Sequence, residues 1–328
     1  MNSSDLIVPQ TVENGILRTK KTKDFAIENH CVELINSPVA RLNQRKENEM
    51  GKYYYGNPDN SGAWEQTASV FAGHDSVNSE KTSSLALVQF WKPRNWKPRK
   101  KLVAQLVLEC GVTTDELLAD DSSLCFEYPV SVNKDSGGEG KPSMTDLMII
   151  TKQHVIAIEA KWTECGNPYP LIGKWKQNGK CQNDDEGNRE KVLKGWMKYI
   201  EDLGYSINRE KIDEIAYQFL HRIASSCYVA KHEGCEPQVV YHLFYHNTKS
   251  HDDVMRFANK LKNQYEKLFD GEKRVPLCII ETAVEVFLPQ GMEEIAKRNK
   301  KRLNDIFVWM QKNDVYRFEN VKAIYVAQ

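Results

Sequence analysis

The eight cysteines, at positions 31, 110, 125, 165, 181, 227, 235 and 278, include no CxxC pair. The usual zinc-ribbon spacing is therefore missing, and reduced thiols in a cytoplasmic protein are expected. Net charge is also missing: 45 basic residues balance 45 acidic ones. That excludes a histone-like coating protein but not a basic groove, because the local field decides binding. Nowhere do about 18 apolar residues run together, so no membrane span is expected. The first residues, MNSSDLIVPQTVENG, have neither a basic start nor an apolar stretch of signal-peptide length. Internal repeats and low-complexity tracts are absent. What is present is 328 residues, 41% of them hydrophobic. That is enough for a real core in one large domain or two ordinary ones.

Residues 1–80 read as an accessory region, with a helix near 36–49 and a loop over GKYYYGNPDNSG, Gly51–Gly62. From 81 to 328 the pattern is that of an α/β domain. Leu102, Val103, Leu106 and Val107 have helical spacing. Strands are expected at 124–132, 145–151 and 154–162, with the flexible loop KDSGGEGKPS between the first two. Only Lys152 and Gln153 separate the last two strands, which predicts a tight hairpin. A polar, lysine-rich stretch follows. A long amphipathic helix is expected over 209–230, from Ile212, Ile215, Ala216, Phe219, Leu220, Ile223, Ala224 and Cys227. A strand at 239–245, a helix at 251–269, a strand at 275–286, a basic helix at 291–312 and a strand at 321–327 complete the chain. The fold class expected is a central mixed β-sheet flanked by helices.

The string SMTDLMIITKQHVIAIEAKWTE, residues 143–164, carries the chemistry. On its second strand Val155, Ala157, Glu159 and Lys161 share one face, and Ile156, Ile158, Ala160 and Trp162 the other. Both faces are apolar before Glu159, as in a sheet covered on both sides. A carboxylate and an ammonium at the end of such a strand need partners. The two-residue turn pairs residues whose numbers share a constant sum, which sets Asp146 across from Glu159 if no bulge intervenes. Adjacent carboxylates repel unless a proton or cation lies between them. Oxygen ligands suit a hard ion such as Mg²⁺, with Mn²⁺ as a substitute, and the Ala160 carbonyl offers a further oxygen. Lys161 on the same face could stabilise charge developing on a phosphoryl group or help deprotonate a water. The bland alternative is a surface salt bridge between Glu159 and Lys161.

Asp146 followed by Glu159-Ala160-Lys161 at strand spacing resembles the PD-(D/E)xK nuclease superfamily, which includes restriction endonucleases and repair exonucleases. The resemblance covers about residues 98–247. Thr145 departs from it, standing where that family often has proline. The strings FEYPV, SMTDLMI, IEAKWTE and YQFLHRIASS are similar to those of an uncharacterised bacterial branch. The resemblance implies a restriction-endonuclease-like core, Mg²⁺-dependent hydrolysis of phosphodiester bonds, DNA as partner with RNA also open, and a setting in prokaryotic defence or restriction. A two-fold homodimer would suit double-strand cutting. It also implies a further glutamate near the site, for which Glu127 and Glu109 compete, and a glutamine or basic residue aimed at it from the long helix. Gln218, Arg222 and Ser225 form one polar stripe there. Arg222 could hold the scissile phosphate.

Residues 81–101 contain Lys81, Lys92, Arg94, Lys97, Arg99, Lys100 and Lys101, with Trp91 and Trp96 between them and no acid. Such a stretch could track a phosphate backbone and stack a base; the alternative is a solvated loop with its tryptophans in the core. The cluster Lys297, Arg298, Lys300, Lys301 and Arg302 is a weaker candidate. Glu164, close after Lys161, reads either as a supporting neighbour of the site or, by preference, as a solvated residue. His242 with His246, and Cys227 with His232 and Cys235, lack zinc-site spacing and read as packing residues.

Overall fold

Strands that are apolar on both faces must be covered on both faces, and the computed structural model has this arrangement. It describes residues 52–55, 83–92, 112, 114–117, 122–132, 141–166, 169–178, 188–287 and 314–327. The chain divides into two units, 1–50 and 51–328, and every described residue lies in the second. The helices expected near 36–49, around Leu102–Val107 and over 291–312, and most of the KDSGGEGKPS loop, fall outside the described residues.

In chain order the elements are β1 (Lys52–Tyr55), α1 (Ser83–Phe90), α2 (Thr114–Leu117), β2 (Ser123–Val130), β3 (Ser143–Ile150), β4 (His154–Lys161), α3 (Ile172–Asn178), α4 (Asn188–Glu201), α5 (Tyr217–Glu233), β5 (Glu236–Tyr245), α6 (Thr248–Leu268), β6 (Leu277–Val286) and β7 (Tyr316–Ala327). The strands form one mixed sheet in sequential order β1 to β7. The pairs β1–β2, β4–β5 and β5–β6 are parallel; β2–β3, β3–β4 and β6–β7 are antiparallel. Lys52–Tyr55 forms a strand where a loop was expected. Three consecutive tyrosines favour an extended backbone, and β2 supplies the ladder.

One face of the sheet packs Val155, Ala157, Val239, Tyr241 and Leu277 against residues of α4, α5 and α6 in a single buried cluster. On the opposite face Phe90 of α1 meets His242 and Phe318 edge-on, with centroids 4.7 and 5.2 Å away. Trp162 joins that layer through Phe244 and Tyr316.

The long helix begins at Tyr217, later than the apolar spacing predicts. Ile212–Glu214 is a separate 3₁₀ turn, and Ile215 and Ala216 are extended. There Ile172 N–H donates to Ile215 O at 2.8 Å and Tyr217 N–H to Pro170 O at 3.2 Å. The apolar spacing crosses this break because both pieces bury the same side. Gly234, at φ +69°, ends α5 in the left-handed conformation that glycine adopts without strain. Helices α3 and α4 occupy the lysine-rich stretch that was read only as polar. The buried stripe of α4 is Val192, Leu193, Trp196, Met197 and Ile200, a spacing visible in the sequence beneath its charges.

Candidate active site

The β3–β4 hairpin positions the site. Its turn closes through Thr151 N–H donating to His154 O at 2.9 Å, and through His154 N–H donating to Thr151 Oγ1 at 2.9 Å. The ladder then runs Ile150↔Val155, Ile149↔Ile156, Met148↔Ala157 and Leu147↔Ile158. This is the register the two-residue turn predicts, and it stops one step short of Asp146 and Glu159. At that step the Asp146 side chain takes the place of a backbone acceptor: Ala160 N–H donates to Asp146 Oδ2 at 2.7 Å. On the other side of β3, Phe126↔Leu147 and Tyr128↔Thr145 bracket Glu127, setting it opposite Asp146. Glu127 has φ +50°, a left-handed conformation unusual for a residue with a side chain. Three carboxyl groups therefore follow one another across β2, β3 and β4.

Glu159 is buried, and positive groups surround it. Lys161 Nζ lies 2.5 Å from Oε1, Gln218 Nε2 donates to the same oxygen at 2.7 Å, and Arg222 pairs with Oε2. Arg222 is itself buried. It also donates to Thr145 Oγ1 and, at 2.7 Å, to Met144 O, so one guanidinium ties α5 to β3 and β4. Burying a carboxylate would otherwise raise its pKa, but Arg222 and Lys161 outweigh that and hold Glu159 below its usual range. Burial would lower the Lys161 pKa, yet Glu159 and Asp146 hold it well above the ordinary lysine value. With Glu159 beside it Lys161 is held as a cation, the state that charge stabilisation needs.

Among the described residues three carboxyls face two cations, so ionising all three would leave one negative charge unmatched. The imbalance falls on the carboxyls without ion pairs. Burial, with the added charge of Glu159, pushes Asp146 up to about 8. Burial, opposed by Arg222, pushes Glu127 up to about 7. Tyr169 and His221 complete the surroundings, and neither was found in the sequence. Lys161 Nζ is 5.2 Å from the Tyr169 ring centroid. His221 Nδ1 is 2.7 Å from Ser143 Oγ, and burial pushes its imidazole down to about 3, so it stays neutral. His221 lies one helical step from Gln218, which was the only available signal. Among the described residues no group of three or more His, Cys, Asp or Glu side chains is arranged to hold an ion.

The structure thus brings Asp146, Glu159, Lys161, Glu127, Gln218 and Arg222 together. Two placements differ from the sequence reading of phosphate contacts. The Arg222 guanidinium is engaged inside the protein instead of facing a groove. Lys92 is fully buried, with its ammonium 3.6 Å from Asp314. Trp91 is likewise in the core. Arg94, Trp96, Lys97, Arg99, the rival Glu109 and the Lys297–Arg302 cluster lie outside the described residues. Glu164 is half-buried: it accepts from Trp162 N–H at 2.9 Å and from Ser83 Oγ at 3.0 Å, tying the end of β4 to α1. Ser225 bonds back to His221 O at 2.7 Å within its own helix. His242 is buried against Thr282 Oγ1 at 2.8 Å, and His246 accepts from Trp162 Nε1 at 3.2 Å. Cys227 is buried in the core, while His232 is exposed with Nδ1 2.7 Å from Tyr228 O.

Fold and site define an α/β protein with a buried cluster of carboxyls and cations at the end of a central strand. A family model described as a domain of unknown function, DUF6946, matches residues 60–283, and the chain belongs to that family. No curated protein and no solved structure matches the chain.

Proposed function

We propose that this protein is a metal-dependent nuclease that hydrolyses phosphodiester bonds in DNA, with the PD-(D/E)xK type of site on a restriction-endonuclease-like core. The observation that carries the reading is the row of three adjoining carboxyls, Glu127, Asp146 and Glu159, with only Lys161 and Arg222 as cations among the described residues, so that full ionisation would leave one negative charge to be met by an ion. Hard carboxylate oxygens with a charge deficit suit Mg²⁺ or Mn²⁺. Asp146 and Glu159, with the Ala160 carbonyl, would hold the ion, and Glu127 would support it. Glu159 would first loosen its contacts to Lys161 and Arg222. Such an ion, when bound, polarises a phosphoryl oxygen and lowers the pKa of a water.

The remaining chemistry belongs to the chain. Asp146, whose carboxyl burial keeps protonated up to about pH 8, would release its proton to solvent on taking up an ion. Lys161, freed in part from Glu159, would turn its ammonium to the negative charge growing on the phosphoryl oxygens. Gln218 orients the Glu159 carboxylate through its amide N–H. Arg222 fixes the start of β3 against α5, so the two ligand strands keep their spacing. The sequence resemblance supports a role in prokaryotic defence or restriction.

The test is cleavage of DNA with Mg²⁺ by the wild type and by Asp146→Asn, Glu159→Gln and Lys161→Met. Activity in the wild type and its loss in all three variants is expected; equal cleavage by all four proteins would sink the assignment. A second reading, a catalytically silent nucleic-acid-binding or assembly subunit, is favoured by the Arg222–Glu159 pair, which occupies a prospective ligand. DNA binding without Mg²⁺, and no cleavage of any substrate, would select it.

A further inference from the structure

A cavity of about 510 Å³ opens beside the charged cluster, between the segment 169–171, α3, α5, β5 and α6. That volume is within the roughly 300–1,000 Å³ range of small-ligand sites. Tyr169, Tyr241 and Phe257 give it an aromatic wall, with the Phe257 centroid 6.1 Å from Tyr169 and 6.3 Å from Tyr241. This wall is continuous with the site. Tyr241 is the β5 partner of Glu159, and the Tyr169 ring lies under the Lys161 ammonium.

The rim is basic. Lys174 and Lys260 are exposed and line the cavity. Neither forms an ion pair among the described residues, whereas nearby Lys176 and Lys267 pair with Asp213 and Glu214. Gln264 accepts from Ala216 N–H at 3.3 Å, which leaves its amide N–H groups to meet a ligand. Aromatic faces, unpaired ammonium groups and a spare amide donor complement a flat heterocycle bearing a phosphate.

We propose that this cavity receives one unpaired nucleotide of the substrate strand, with its base against the aromatic wall and its phosphate at Lys174 and Lys260. The inference rests on the nuclease reading and deepens it. A base can enter only when it is unpaired, so the favoured substrate is single-stranded or frayed at its end.

Fluorescence anisotropy of the full chain in EDTA tests this, with labelled oligothymidylate compared against a blunt duplex. Stacking of one base corresponds to about tenfold in affinity or more, and the single strand should lead by at least that factor. Phe257→Leu, which keeps the site apolar but removes the ring, should erase the preference and leave duplex binding unchanged. The Lys174→Glu/Lys260→Glu double variant changes only exposed positions and should weaken single-strand binding about tenfold or more. Equal binding of strand and duplex by the wild type, no binding at all, or variants that bind like the wild type would overturn the proposal. Cleavage with Mg²⁺ is scored separately. A wild type that cleaves but binds independently of these residues overturns the cavity and leaves the nuclease. A wild type that binds through them but never cleaves overturns the nuclease and leaves a nucleotide site.

Discussion

Asp146 and Glu127 differ from Glu159 in what surrounds them, not in chemistry. Glu159 has two cations and an amide; the other two carboxyls have burial and its repulsion. Their pKa values therefore move apart, Asp146 to about 8 from an ordinary 3.8 and Glu127 to about 7 from 4.5. Between those limits these two carboxyls hold more protons in the folded chain than in the unfolded one. The buried neutral His221 and His242, pushed down to about 3, oppose this up to about pH 6.5; above that the carboxyls act alone, and stability of the metal-free protein should fall from about pH 6.5 to about 8. Asp146→Asn keeps an oxygen to accept the Ala160 N–H but cannot ionise. It should raise the melting temperature in EDTA at pH 8 and flatten the decline, as read from thermal melts across that range. A melting temperature at pH 8 unchanged from the wild type would mean that Asp146 titrates normally.

At the scale of elements, the hairpin was legible because a two-residue turn leaves one register, and that register holds from Ile150 to Leu147. The ends of helices were less legible. Apolar spacing ran through Ile212–Ala216 because burial does not distinguish a 3₁₀ turn and an extended pair from helix. The left-handed Glu127 carries no sequence mark, since glycine usually occupies such positions. The roles of Lys92 and Glu164 depend on Asp314 and Ser83, far along the chain, and no local pattern holds that information. The Glu127 conformation makes a separable prediction. Glu127→Gln removes the charge alone, and Glu127→Gly also relieves the backbone. The glycine variant should be the more stable of the two by about 1 kcal/mol in urea denaturation. A glutamine variant of equal or greater stability would show that no strain is held there.

In the whole molecule, a sheet covered on both faces leaves few places for charge. The sequence marked this place by putting Glu159 and Lys161 in an otherwise apolar strand. The β3–β4 ladder ends there while the parallel β4–β5 ladder continues, so polar groups from β2, β3, β4 and α5 meet at one open step. The aromatic cavity adjoins the same step, on the face that α5 and α6 cover. The central claim is that the row of carboxyls at this step is a metal site, and calorimetric titration of Mg²⁺ into the full chain near pH 7.5, repeated in buffers of different ionisation enthalpy, tests it most directly. Binding should release protons from Asp146 and Glu127, strengthen as pH rises, and vanish in Asp146→Asn. No heat of binding, or binding to Asp146→Asn equal to that of the wild type with no proton release, would contradict the account.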